Sequence, residues 1–150
     1  MKKVNEGFTL LEILMVVATI AILAGIVVQA INPVKQLGDT RNAKRHSDVQ
    51  AIADAVYQYT IDNQGSMPAG ITYTDTEICK TGFLGSCSGL IDLSPMTASE
   101  KYLVAIPIDP RCPDLCAVYG AGYQIKKSLT NRVTVTAPDA ENGVVISVMK

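Results

Sequence analysis

Glu12 is the residue whose type and place most demand a chemical account. It is the fifth residue of an apolar run from Phe8 to Ile31 and carries the only formal charge in it. A carboxylate in hydrocarbon costs roughly 2–3 kcal/mol or more, so it is rare there and usually has a partner. A nearby amine would serve, especially a new N-terminal amine made by a cut just upstream. Gly7 offers a peptidase an unhindered, flexible bond.

Two further sets of residues could do chemistry. Four cysteines, Cys79, Cys87, Cys112 and Cys116, form an even set. In a small exported domain this favours disulfides. Short local loops favour Cys79–Cys87 and Cys112–Cys116, with a crossed pairing as the alternative. Zinc is the rival, and paired Cys-x-x-Cys knuckles are lacking. Asp139, Glu141 and Asn142 offer oxygens that suit calcium, without an EF-hand pattern; a polar turn is the plainer reading. His46, the single histidine, lies in a helical stretch with no nucleophile in a usual arrangement nearby. No glycine-rich phosphate loop is present, and GLIDLSP lacks the clustered glycines and the Gly-Lys ending. The chain therefore reads as a processed building block with no catalysis and no cofactor of its own.

The elements that position these residues begin with the apolar run. As a helix, residues 8–31 would span ~36 Å, enough for a ~30 Å hydrocarbon core. Ala18, Ala21, Ala24 and Gly25 leave narrow faces where another helix could approach. Lys2 and Lys3 would stay on the inner side of a membrane by the charge-bias rule. A secretory signal peptide has a shorter apolar region. A plain signal anchor explains the length but leaves Glu12 without a role.

Gly7-Phe8-Thr9-Leu10-Leu11-Glu12, followed by an apolar helix and preceded by a basic start, resembles the prepilin leader shared by type IV pilins and the pseudopilins of type II secretion. The resemblance implies a cut between Gly7 and Phe8 by a prepilin peptidase, and N-methylation of Phe8. It implies that Glu12 neutralises the terminal amine of an adjacent subunit during assembly on an inner-membrane platform with its ATPase. Residues 41–68, with Ile52, Ala53, Val56, Tyr57, Tyr59 and Asp62-Asn63, resemble the family less specifically. Ile106 to Pro110, with Tyr119 and Tyr123, resembles a Leu-Pro-x-Asp-Pro segment that precedes a hairpin in pseudopilins and many minor pilins. The usual Asp-Pro-Trp-Gly is absent, since Arg111-Cys112 follows Asp109-Pro110. Major pseudopilins bind calcium in their C-terminal region, which is the family's argument for Asp139, Glu141 and Asn142.

Beyond the run, Asn32-Pro33 predicts a kink or local melting. Helical spacing then resumes, so residues 8–62 read as one long element softened at Pro33 and Gly38. Lys35, Arg41, Lys44 and Arg45 against Asp39, Asp48, Asp54 and Asp62 suggest a solvated helix face or pairing between staggered subunits. Gly65 and Pro68 end the helix. Residues 71–74 suggest a short strand, and Cys79 and Cys87 frame a glycine-bearing loop. Ser94-Pro95 suggests the start of a helix over 95–103. Residues 117–119 and 123–125 suggest a hairpin turning at 120–122. Residues 133–136 and 144–148 suggest two more strands.

Such a sheet must bury a face, and the amphipathic half of the long helix is its only large partner. The expected fold is therefore α+β and pilin-like, a long N-terminal helix packed on a small antiparallel sheet of three or four strands. Its parts are a leader (1–7), a transmembrane and assembly helix (8–31), an amphipathic helical half (32–64) and a sheet domain (65–150). The 48% hydrophobic fraction is concentrated in the first part, which leaves a modestly apolar domain that staples would help. A net charge of -1 gives no support for direct nucleic-acid contact.

The expected function is a major or minor pilin in a filament of identical or mixed subunits. The alternatives are a type II secretion pseudopilin and a membrane-anchored domain that does not assemble. The expected location is the bacterial inner membrane, single-pass with the C-terminal domain outside, and then a surface pilus or a periplasmic pseudopilus.

Overall fold

The computed structural model describes residues 7–80, 87–112 and 114–150, without the side chain of Ala30. Lys2, Lys3 and loop residues 81–86 lie outside the described residues. The chain divides into two compact units, Met1–Gln36 and Leu37–Lys150.

The first unit is dominated by α1 (Leu10–Ala30). Thr9 caps it: the residue is extended, and its Oγ1 accepts from the Glu12 N–H at 3.2 Å. Inside the helix the Thr19 hydroxyl donates to the Met15 and Val16 carbonyls, which satisfies it in apolar surroundings. Ile31 is extended and ends the helix. Asn32 then accepts from the Lys35 N–H through Oδ1 at 3.1 Å, and Pro33 opens α2 (Pro33–Asp62). The long element expected over 8–62 is therefore two helices. Asn32-Pro33 is a capping residue followed by proline at the first helical position, where its missing N–H is harmless. The helix is interrupted at Ile31-Asn32, the local melting expected there, and the same residues restart it.

In the second unit α2 buries Gly38, Asn42, Arg45, Val49, Ile52, Ala53 and Val56. These recur at three- and four-residue steps, so they share one face. The lower part of that stripe is apolar and the upper part polar. Four strands follow, β1 (Thr76–Cys79), β2 (Gly120–Lys127), β3 (Val133–Ala137) and β4 (Ile146–Met149), paired antiparallel in sequence order. Val133, Val135 and Ala137 alternate inward, as do Tyr123 and Ile125 on β2. With Val49, Ile52, Val56, Ile78, Leu93 and Met96 they form one core. The architecture is α+β, long N-terminal helices and a four-stranded antiparallel sheet, consistent with a pilin-like fold.

Four local expectations change. Residues 71–74 are not a strand; the first strand is β1, which takes its pairing from β2. The helix expected over 95–103 is one turn, α3 (Ser94–Thr97), followed by a 3₁₀ turn at Ala98–Glu100. Left-handed backbone at Ser99 and Glu100, both with φ 55°, stops it. Its remainder still docks on α2: the Tyr102 hydroxyl donates to Asp62, and the Tyr102 ring meets Tyr59 edge-on at 5.8 Å. The last strand starts later than expected, because Asn142 and Gly143 have positive φ and form a turn, and Val144 and Val145 follow it without joining the sheet.

The fourth change matters most. Residues 120–122 are not a turn but the start of β2, a central strand that Lys126 and Lys127 complete. Its glycines admit neighbours. A Cβ on Gly120 would strike the Glu77 carboxylate, and one on Gly122 would lie 2.6 Å from Asp109 Cβ and 2.7 Å from Cys116 Sγ. Glycine inside a strand commonly marks a bulge or such close approach, and the β1–β2 register shifts between Glu77 and Cys79.

Candidate functional site

Two places could carry function, and they are built differently. At the N-terminal one, Gly7 and Phe8 lie outside the helix and Glu12 sits in its first turn. All three are exposed. The large apolar side chains of α1 from Leu10 to Val28 are 50–80% exposed. One stretch, Leu10–Gln29, is long and apolar enough to cross a membrane. A Cβ on Gly25 would meet nothing within 4 Å, so the helix surface there is open. What this arrangement can do is bind: it offers an apolar cylinder with one carboxylate near its start.

The second place is the polar upper part of the α2 stripe. Arg45 is fully buried, with Nε and Nη2 donating to Asp109 at 2.6 and 3.0 Å. Its remaining terminal nitrogen, Nη1, donates to Asn42 at 3.0 Å and to Glu141 at 3.3 Å. Arg41 grips the same Glu141 with two bonds of 2.6 and 3.0 Å, and Arg111 reaches it at 3.3 Å. The Asn42 amide pairs with the Glu141 backbone in both directions, at 2.8 and 2.9 Å. One helical turn on, Asp48 accepts from the buried Tyr123 hydroxyl at 2.7 Å and from Lys44. Among the described residues no buried side-chain nitrogen or oxygen lacks a partner.

The electrostatics follow from these contacts. The bond from Arg41, helped by Arg45, holds the Glu141 carboxyl down at about 2. Arg45 is raised chiefly by its bond to Asp109. Burial, then Asp48, pushes the Tyr123 hydroxyl up. Burial, then the nearby Asp109 charge, raises Asp139. A buried guanidinium this well paired fixes geometry; it is not available as a free acid or base.

The charges on α2 are thus divided. Lys35, Asp39, Lys44 and Asp62 are exposed, as expected of a solvated face, whereas Arg45 and Asp48 are buried and Arg41 is half-buried on Glu141. Asp139, Glu141 and Asn142 do not gather into an oxygen cage. Glu141 is engaged by three arginines, and Asn142 donates to Asp39 at 2.8 Å. Among the described residues no group of three or more His, Cys, Asp or Glu could hold a metal. The cysteines form Cys79–Cys87 and Cys112–Cys116.

Sequence reasoning missed the Arg45–Asp109 pair and the part of Asn42. The available signal was spacing, since Asn42, Arg45 and Val49 continue the stripe of Ile52 and Val56. A second signal was Asp109 set between two prolines, a rigid frame for one side chain. Comparison with protein-family models, curated proteins and solved structures finds no match to this chain.

Proposed function

We propose that the chain is a structural subunit of a type IV pilus-like filament. A prepilin peptidase cuts between Gly7 and Phe8 and methylates Phe8. The observation that carries this reading is α1 itself: 21 residues, apolar and exposed, with Glu12 in its first turn, close after Gly7-Phe8 and the capping Thr9. An apolar surface of that size needs lipid or other helices. The subunit first sits in the bacterial inner membrane with its sheet domain outside. On the assembly platform, Glu12 of one copy pairs with the Phe8 amine of the next, and the helices exchange lipid for one another. The partners are copies of this chain or other pilins. The alternative is a type II secretion pseudopilin; Ile106 to Pro110 resembles a segment of pseudopilins and of many minor pilins alike. Recovery from sheared surface filaments favours the pilus; loss of secreted hydrolases on deletion favours the pseudopilus.

The test is Glu12→Ala, scored separately for cleavage and for filament yield. Cleavage should persist while the sheared filament fraction falls at least about tenfold, as expected when a buried charge loses its partner. Wild-type filament yield would sink the pairing role.

A further inference from the structure

Both carboxylates that make Arg45 tolerable in the core come from segments distant in sequence, and one of them is tied to a disulfide. Asp109 is placed by its own backbone. Its N–H donates to the Ala121 carbonyl at 2.9 Å, its carbonyl accepts from the Cys112 N–H at 3.0 Å, and its Oδ1 accepts from the Arg111 N–H at 2.8 Å. Cys112 then bridges to Cys116. Both sulfurs and the Asp109 Cβ converge on Gly122, within 2.6–3.1 Å of where its Cβ would stand. The bridge, the aspartate and the α-carbon of a central strand therefore form one packed knot, with the Arg45 guanidinium bonded to its aspartate. The other bridge is placed differently. Cys79 sits at the end of β1, donates to the Ile91 carbonyl and joins the apolar core. Among the described residues, the bonds of Cys79 and Cys87 do not include any residue of the polar stripe.

We propose that Cys112–Cys116 is a positioning cross-link for the buried Arg45–Asp109 pair, so that oxidation at this site, and not at Cys79–Cys87, locks the polar half of α2 onto the sheet domain. The step is thiol–disulfide exchange. The two thiols lose two protons and two electrons, one S–S bond forms between Cys112 and Cys116, and the S–S bond of a disulfide-bearing oxidant breaks to give its dithiol. Without the bridge Asp109 keeps its backbone bonds to Ala121 and Cys112 but loses the packing of the joined sulfurs, so the bidentate partner of a buried guanidinium is held less firmly, a costly state. Afterwards the carboxylate is held where the guanidinium arrives. The inference concerns the second unit alone and stands apart from the filament reading.

The experiment uses the full-length chain in detergent micelles. Hydrogen exchange is measured over residues 41–48 and referenced to β3, which neither bridge touches. Cys112→Ser with Cys116→Ser should lower protection over 41–48 relative to β3 by about tenfold, the range of ordinary coupling between sites. Cys79→Ser with Cys87→Ser should leave that ratio within about threefold, well below such a coupling. An unchanged ratio in the first variant, or equal falls in both, overturns the proposal. Should the first variant unfold the whole unit, the converse decides. Coupling is reciprocal at equilibrium, so Asp109→Asn should shift the equilibrium of Cys112–Cys116 with dithiothreitol about tenfold towards the dithiol while that of Cys79–Cys87 stays in place. Equal equilibrium constants at Cys112–Cys116 in Asp109→Asn and the parent overturn it.

Discussion

Glu12 on α1 and Arg45 on α2 are both charges set among apolar residues, yet they are treated in opposite ways. Arg45 has a bidentate carboxylate, a second carboxylate and an amide, all supplied by the same chain. Around Glu12 the described residues supply only backbone capping by Thr9, and the neighbouring side chains stand exposed. Helix α2 finds its complement inside the fold. Helix α1 leaves its large apolar side chains exposed. On the proposed function, the difference separates a region where substitutions change folding from one where they change association.

The sharpest way to break that comparison is to remove one charge from each region. Asp109→Ala strands a buried guanidinium and should cost about 3–5 kcal/mol of unfolding free energy. Denaturant titration of the full chain in detergent, followed through the tyrosines of the sheet domain, reads it. Glu12→Ala should leave the same midpoint in place. Comparable losses from both would erase the distinction.

Paired glycine substitutions sharpen it further. Gly122 has φ +80° and is crowded by Asp109 and Cys116. Gly122→Ala should therefore cost at least about 2 kcal/mol, combining left-handed strain with overpacking. Gly25 is helical with open surroundings. Gly25→Ala should change helix stability by no more than about 1 kcal/mol, and in the favourable direction. The same denaturant midpoints serve for Gly122→Ala, and far-ultraviolet circular dichroism of the micelle-bound chain serves for Gly25→Ala. A destabilised Gly25→Ala subunit would mean that α1 packs within its own chain.

The smallest expected effect is electrostatic. Glu141 titrates at about 2 when folded, below its ordinary 4.5, because Arg41 and Arg45 hold its charged form. A lowered folded value means that its contribution is complete above pH 4.5 and is lost as the pH falls from there towards 2. Carboxyl-carbon NMR on the labelled chain should show Glu141 still ionised at pH 3.5. An ordinary midpoint near 4.5 would mean that Arg41 does not engage it.

Much of this layout was legible because its signals are local and periodic. The apolar run, the alternation of Val133 to Thr136 and the three-and-four spacing from Val49 to Val56 each name their element directly. What was not legible depends on contacts far apart in sequence. Gly120 and Gly122 look like turn residues until Glu77, Asp109 and Cys116 are seen to need the space their missing Cβ leaves. Arg41 and Arg45 look like surface charges until Asp109 and Glu141, some 64 and 100 residues away, arrive. Asn32-Pro33 carried a readable capping signal that a reading for helix breakers overlooks.

Processing and assembly of α1 are tested most directly by the intact mass and N-terminal sequence of the chain from membrane and sheared-surface fractions of its native cells. The expected chain starts at N-methylated Phe8, with part of it in the sheared fraction. A chain that still starts at Met1 where the processing enzyme is active would contradict processing and leave an anchored domain that does not assemble.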